Sequence, residues 1–144
     1  MAIIDFFDRG WSQNPQGTAF IQDDTHFSFD EVGKLSCRIA HQLLSLGFPK
    51  ETKGAVWSAN DVTAWACTLG LWRANMTWIP VNARNAAEEN AVMLENFDCE
   101  VLFYQRQFHD AVTALRPRLA RIRHWVCIDG TAPDAPALLA WCAD

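Results

Sequence analysis

Glycine and proline are scarce, seven and six among 144 residues, and the glycines stand where no phosphate-gripping loop can be built from them. No two are separated by a single residue, so the G-x-G-x-x-G turn that lets backbone approach a pyrophosphate is missing. The G-x-x-x-x-G-K loop with a following Ser or Thr is absent as well, and no serine stands between glycines as G-x-S-x-G requires of an exposed nucleophile. There is no C-x-x-C pair. Cys37, Cys67, Cys99, Cys127 and Cys142 are widely spread, and His26, His41, His109 and His124 are isolated from one another. Short-spaced ligands are what a metal site needs, so none is expected, and buried free thiols in a reducing cytosol fit best. Basic residues are no more plentiful: the net charge of −5 argues against a partner that must be neutralised along a phosphate backbone. A long apolar run is also lacking. The opening Met1 to Arg9 is short and carries Asp5 and Asp8, which fits neither a signal peptide nor a membrane span. The expectation is a soluble cytoplasmic protein with no nucleic-acid partner.

What is present is core material. Half the residues are apolar, with seven Trp and nine Phe, enough for one domain to bury a real core. Ile3, Ile4, Phe7 and Trp11 recur at helical spacing until Asn14-Pro15 stops them. Thr18 to Gln22 and His26 to Phe29, separated by Asp23-Asp24-Thr25, read as a hairpin. Val32, Leu35, Ile39, Leu43 and Leu46 predict a long helix with Asp30 as N-cap and Gly47 as stop. Beyond a linker the pattern alternates. Gly54 to Ser58 is strand-like, followed by a helix capped by Asn60 or Asp61 with an inner face of Val62, Trp65, Leu69 and Trp72. Thr77 to Val81 leads to a helix over 86–97, Glu100 to Tyr104 to a helix on Phe108, Val112 and Leu115 with a last turn restarted at Pro117, and Trp125 to Ile128 forms a fourth strand. Short apolar strands spaced by helices predict a three-layer α/β fold, its mainly parallel sheet covered on both faces, preceded by an N-terminal helix and β-hairpin. The divisions are 1–47 for helix, hairpin and long helix, 48–130 for βα repeats, and 131–144 for linker and tail.

In an open parallel sheet, ligands bind beyond the carboxyl ends of the strands, which selects Ser58 to Asp61, Asn82 to Asn85, Gln105 and Asp129-Gly130. Each also suits a cap or loop. Glu88-Glu89 point about a hundred degrees apart on a helix and read as a charged first turn favoured by the macrodipole. Arg116, Arg118, Arg121 and Arg123 with His124 scatter around a helical axis and read as a solvated face.

The order of segments is similar to the opening of the adenylate-forming superfamily, the AMP-dependent synthetases and ligases that include AMP-forming acyl-CoA synthetases. Phe27-Ser28-Phe29-Asp30-Glu31-Val32 resembles its L-T/S-Y-x-E-L motif, with the following helix ending in Leu46-Gly47. Lys53 to Asn60 resembles the K-G-D-x-V strand and its Asn turn. Leu69 to Glu89 resembles A-x-x-K-A-G-A-x-x-V-P-x-N-P-R and the Glu-Glu helix after it, with Asn75 in place of glycine and Ala83 in place of proline. The resemblance implies a parent reaction in which carboxylic acid and ATP give an acyl-adenylate and pyrophosphate, after which CoA thiol displaces AMP. It implies ATP, Mg and CoA as cofactors of the parent. It also implies that the phosphate loop, the metal ligand, the ribose-binding Asp and the catalytic Lys lie downstream of Asp144. This chain is then expected to be an N-terminal scaffold portion, to carry no catalytic residue, to bind none of these cofactors alone, and to partner the remainder of the ligase. Asn82 and Arg84 are the candidate cofactor-binding residues, on the CoA side. A homodimer through the apolar face left uncovered is expected. The alternative is a freestanding nonenzymatic α/β module that holds a nucleotide or a protein; submicromolar binding of ATP, AMP or CoA in calorimetry would favour it.

Overall fold

The computed structural model describes residues 1–143. Helix α1 (Ile4–Gln13) ends just before Pro15, and β1 (Thr18–Gln22) pairs antiparallel with β2 (Thr25–Ser28). Asp23 and Asp24, at φ 48 and 61, supply the left-handed pair that a tight hairpin turn requires. Helix α2 (Phe29–Ser45) starts on a capping box rather than on Asp30. Ser28 Oγ accepts the Glu31 N–H at 3.1 Å, and Glu31 returns its carboxylate to the Ser28 N–H at 2.8 Å. Ser-x-x-Glu satisfies two orphan donors at once, which leaves Asp30 inside the first turn. There it accepts the Trp11 indole N–H at 3.2 Å and pairs with Lys34 at 2.7 Å, and the Lys34 contact is the main reason its carboxyl is held below the usual range.

After Gly47, left-handed at φ 72, come β3 (Lys53–Trp57), α3 (Val62–Arg73), β4 (Thr77–Pro80), α4 (Ala87–Asn96) and β5 (Val101–Tyr104). A 3-10 turn (Arg106–Phe108), α5 (His109–Leu115), β6 (His124–Cys127) and α6 (Leu138–Trp141) complete the chain. The four later strands form a wholly parallel sheet in the order β4-β3-β5-β6. Side chains alternate across it. Val56, Val101, Phe103 and Val126 point to a core shared with α1, α2 and α3, while Ala55, Trp57, Leu102 and Tyr104 point to a second core under α4 and α5. The three-layer α/β class is therefore observed, with the helix and hairpin in front of it.

Two local expectations change. Helix α3 does not present a single stripe: Ala64, Ala66, Cys67 and Leu71 are buried as well, because the helix lies between the sheet and α2. Trp65 is thereby pushed outward and is 42% exposed. A last turn does follow at Pro117, over 116–118, where the N–H groups of Arg118 and Leu119 both reach back to the Leu115 carbonyl at 3.0 Å. The thiols are all free, but Cys37 is exposed. Burial pushes the Cys67 thiol well up and the Cys99 thiol up to about 12, so these two stay protonated and inert at neutral pH.

Asn75, in the position where the related pattern has glycine, sits at φ 57, a left-handed conformation that Asn tolerates better than most side chains. Arg73 ties three helices together. It forms a paired contact with Asp8 of α1, donates Nε to Ser36 Oγ of α2 at 2.8 Å, and lies 5.6 Å from the Trp11 ring. No helix among the described residues is long and apolar enough to cross a membrane.

Candidate functional site

Four loops meet at the carboxyl edge of the sheet. The chain leaves β3 for β4 and then crosses back past β3 to β5, so the strand order reverses between β3 and β5. Open α/β sheets place ligands at such a reversal. Here the chain's own amide fills it. Gln105, nearly buried, accepts the Ala59 N–H at 2.8 Å and the Gln107 amide at 2.9 Å, while its backbone N–H donates to the Trp57 carbonyl at 3.1 Å. Gln105 is a staple between two loops.

Asp61 is the cap that the sequence allowed. Its Oδ1 accepts the Ala64 N–H at 3.1 Å and its Oδ2 accepts the Gln22 amide at 3.0 Å, while Gln22 Oε1 takes the Val62 N–H at 2.8 Å. The hairpin is thus locked to the start of α3. Beside this loop lies a cavity of about 210 Å³ bordered by Asn60, Asp61, Thr68, Trp65, Trp78 and Pro80. An aromatic chain runs along it: Phe20 to Trp65 at 6.5 Å, Trp65 to Trp78 at 6.2 Å, and Trp78 to Trp72 at 5.8 Å. Periodicity alone placed Trp65 and Trp72 inside a core stripe and so missed this arrangement.

Asp129 binds two loops together, accepting the Arg106 N–H at 2.6 Å, with the Cys127 thiol 3.8 Å away. Gly130 follows at φ 111, a backbone state that L side chains rarely adopt. A contact that the sequence did not signal lies beneath: Tyr104 OH is 2.9 Å from His109 Nδ1, and His109 Nε2 is 3.3 Å from Thr113 Oγ1. Burial first, then the proximity of Cys127, raises the Tyr104 hydroxyl above its ordinary range. The pairing of His109 with Thr113 at helical i,i+4 spacing was its only trace in the sequence.

The turn after β4 differs from the others because its cationic side chain is uncommitted. Asn82 Oδ1 accepts the Arg84 N–H at 2.9 Å, and the Asn82 carbonyl accepts the Asn85 N–H at 3.1 Å and the Asn90 amide at 3.1 Å. Arg84 and Asn82 are exposed, and among the described residues Arg84 has no ion-pair partner. The turn opens onto the N-terminus of α4, where Ala86 offers no side-chain cap. Glu88 in that first turn is neutralised by Arg118, which also holds Glu95 at 2.9 Å. The rest of the basic cluster is similarly occupied within the chain: Arg121 by Asp98 at 3.4 Å, Arg123 by Glu100 at 3.2 Å, and Arg116 by the Asp134 carbonyl at 2.9 Å.

A parallel sheet covered on both faces, with its polar loops gathered at one edge, defines the class as a three-layer α/β fold. A family description, AMP-binding enzyme, matches residues 7–144, and the chain belongs to that family. One curated relative is the medium/long-chain-fatty-acid-CoA/3-oxocholest-4-en-26-oate-CoA ligase of Mycobacterium tuberculosis, 24% identical over 92% of this chain and 24% of the relative. Another is the 4-hydroxybenzoate-CoA/benzoate-CoA ligase of Rhodopseudomonas palustris, 27% identical over 95% of this chain and 25% of the relative. Among solved structures, an anthranilate CoA ligase in complex with anthranoyl-AMP superposes with a TM-score of 0.90 at 16% identity, covering 99% of this chain and 27% of that one, a likeness of fold. The chain spans about a quarter of the length of the curated relatives it matches.

Proposed function

We propose that this chain is the N-terminal scaffold of an AMP-forming acid-thiol ligase. In such a ligase a carboxylic acid and ATP give an acyl-adenylate and pyrophosphate, and the thiol of CoA then displaces AMP. The observation that carries the reading is the family match over nearly the whole chain.

The residues present do not fit the triphosphate or its magnesium. No phosphate loop is encoded, and among the described residues no three His, Cys, Asp or Glu side chains converge as metal ligands. A transferring phosphoryl group is stabilised by preorganised amides and cations, so no step of adenylyl transfer is assigned to this chain.

CoA is different. The Asn82 side chain shapes the turn, Arg84 presents a guanidinium that suits a phosphate, and the uncapped start of α4 adds backbone N–H groups of the right polarity. In a ligase that contains this chain, Arg84→Ala should raise KM for CoA about tenfold with kcat little changed, the loss of one charge-assisted contact. An unchanged KM would remove Arg84 from the site.

The remainder of the ligase is the proposed partner, and a carboxylic acid is its proposed substrate. Free thiols support a cytoplasmic setting. Ile3, Phe6, Leu44, Trp65 and Leu139 are large apolar side chains left exposed, and they supply apolar surface for a second copy to cover. The chain alone should therefore dimerise at high concentration, as light scattering would show; a monomer throughout would count against a covered face.

A further inference from the structure

The turn that presents Arg84 is held from below by Asn90. This residue lies within α4, is fully buried, and donates its amide to the Asn82 carbonyl at 3.1 Å. That carbonyl also accepts the Asn85 N–H at 3.1 Å, so both of its lone pairs are used. The other half of the Asn90 amide is left over: Oδ1 is buried with no hydrogen-bond partner. An apolar side chain of the same size would pack in the neighbourhood of Ala91 and Leu94 without that desolvation penalty. As a packing residue Asn90 is thus a poor choice. Its one directed bond goes to the loop and to nothing in the core.

We propose that Asn90 is a positioning residue for the Asn82–Arg84 turn. By fixing the Asn82 carbonyl, it sets the peptide from which the Asn82 side chain closes on the Arg84 N–H, and so holds Arg84 beside the open start of α4. The consequence for ligand binding rests on the reading that this turn receives a phosphate of CoA. The positioning itself does not.

The test uses this chain and reads two quantities: melting temperature and amide exchange by NMR across α4 and at Arg84 and Asn85. Asn90→Leu keeps the branching and the side-chain heavy-atom count and removes both the amide donor and the unpaired oxygen. It should leave the melting temperature equal or higher while exchange at Arg84 and Asn85 quickens about tenfold, the equivalent of one lost hydrogen bond. Asn90→Ser, too short to reach Asn82, should loosen the turn in the same way even if it melts earlier. Unchanged exchange at the turn in Asn90→Leu would overturn the proposal. So would exchange that quickens only in step with the rest of α4 in both variants, since that is what an ordinary packing residue gives. The CoA reading is decided separately by the KM of Arg84→Ala in a ligase that contains this chain, and the exchange measurement alone decides the role of Asn90.

Discussion

Replacing Phe103 with alanine should cost the chain about 3–5 kcal/mol, the range for emptying a buried aromatic site. Phe103 is fully buried on β5, between β3 and β6, and its ring meets Trp141 edge-on at 5.4 Å. The lost ring removes both the transfer energy of its surface and the contacts of a cavity that a parallel sheet cannot collapse to fill. A domain of this size has only about 5–15 kcal/mol in hand, so Phe103→Ala should move the midpoint of a urea melt far down. A midpoint within experimental error of the parent would mean that the core between the sheet and α6 is not packed as described.

The second large effect is expected at Gly70. A Cβ there would stand 2.5 Å from Ile39 Cγ2, 2.8 Å from Ile39 Cβ and 3.3 Å from the Ser36 carbonyl oxygen. Helices α2 and α3 touch through this point. Alanine is the better helix former by about 1 kcal/mol, but overpacking a rigid contact costs about 1–3 kcal/mol, and Ile39 is both fully buried and stiff at χ1. Gly70→Ala should therefore destabilise. Combined with Ile39→Ala, which withdraws the first obstacle, the loss should be smaller than the sum of the single losses. Strict additivity would show that the helices are free to separate.

Most of the architecture was legible because alternation of short apolar strands with helices leaves few topologies, and the right-handed parallel crossover prunes the rest. The hairpin turn was visible in Asp23-Asp24, and the stop of α2 in Gly47. The N-cap of α2 was misplaced although Ser28 and Glu31 stood at capping-box spacing, because Asp30 is also a good cap residue and the two patterns overlap. The misreading of α3 has a different origin. A helix buried between a sheet and another helix has apolar residues on most sides, so periodicity cannot say which side faces outward, and Trp65 was assigned to the core.

The candidate site was legible as positions and not as roles. Ser58 to Asp61, Gln105, Asp129-Gly130 and Asn82 to Asn85 do gather at one edge, as parallel topology requires. Which of them are spent on the chain itself depends on long-range partners such as Gln22 to Asp61 and Gln105 to Ala59, which no local pattern encodes. Asn90 was invisible for the same reason: its bond to Asn82 spans the turn, and a single amide on a helix carries no signal until its burial is known.

We propose that this chain builds one wall of an adenylating ligase and holds none of the groups that act on ATP. The direct measurement is pyrophosphate release by the purified 144-residue chain given ATP, magnesium and a panel of aliphatic and aromatic carboxylic acids. No release above the uncatalysed background is predicted for any acid in the panel. Turnover with even one of them would contradict the claim.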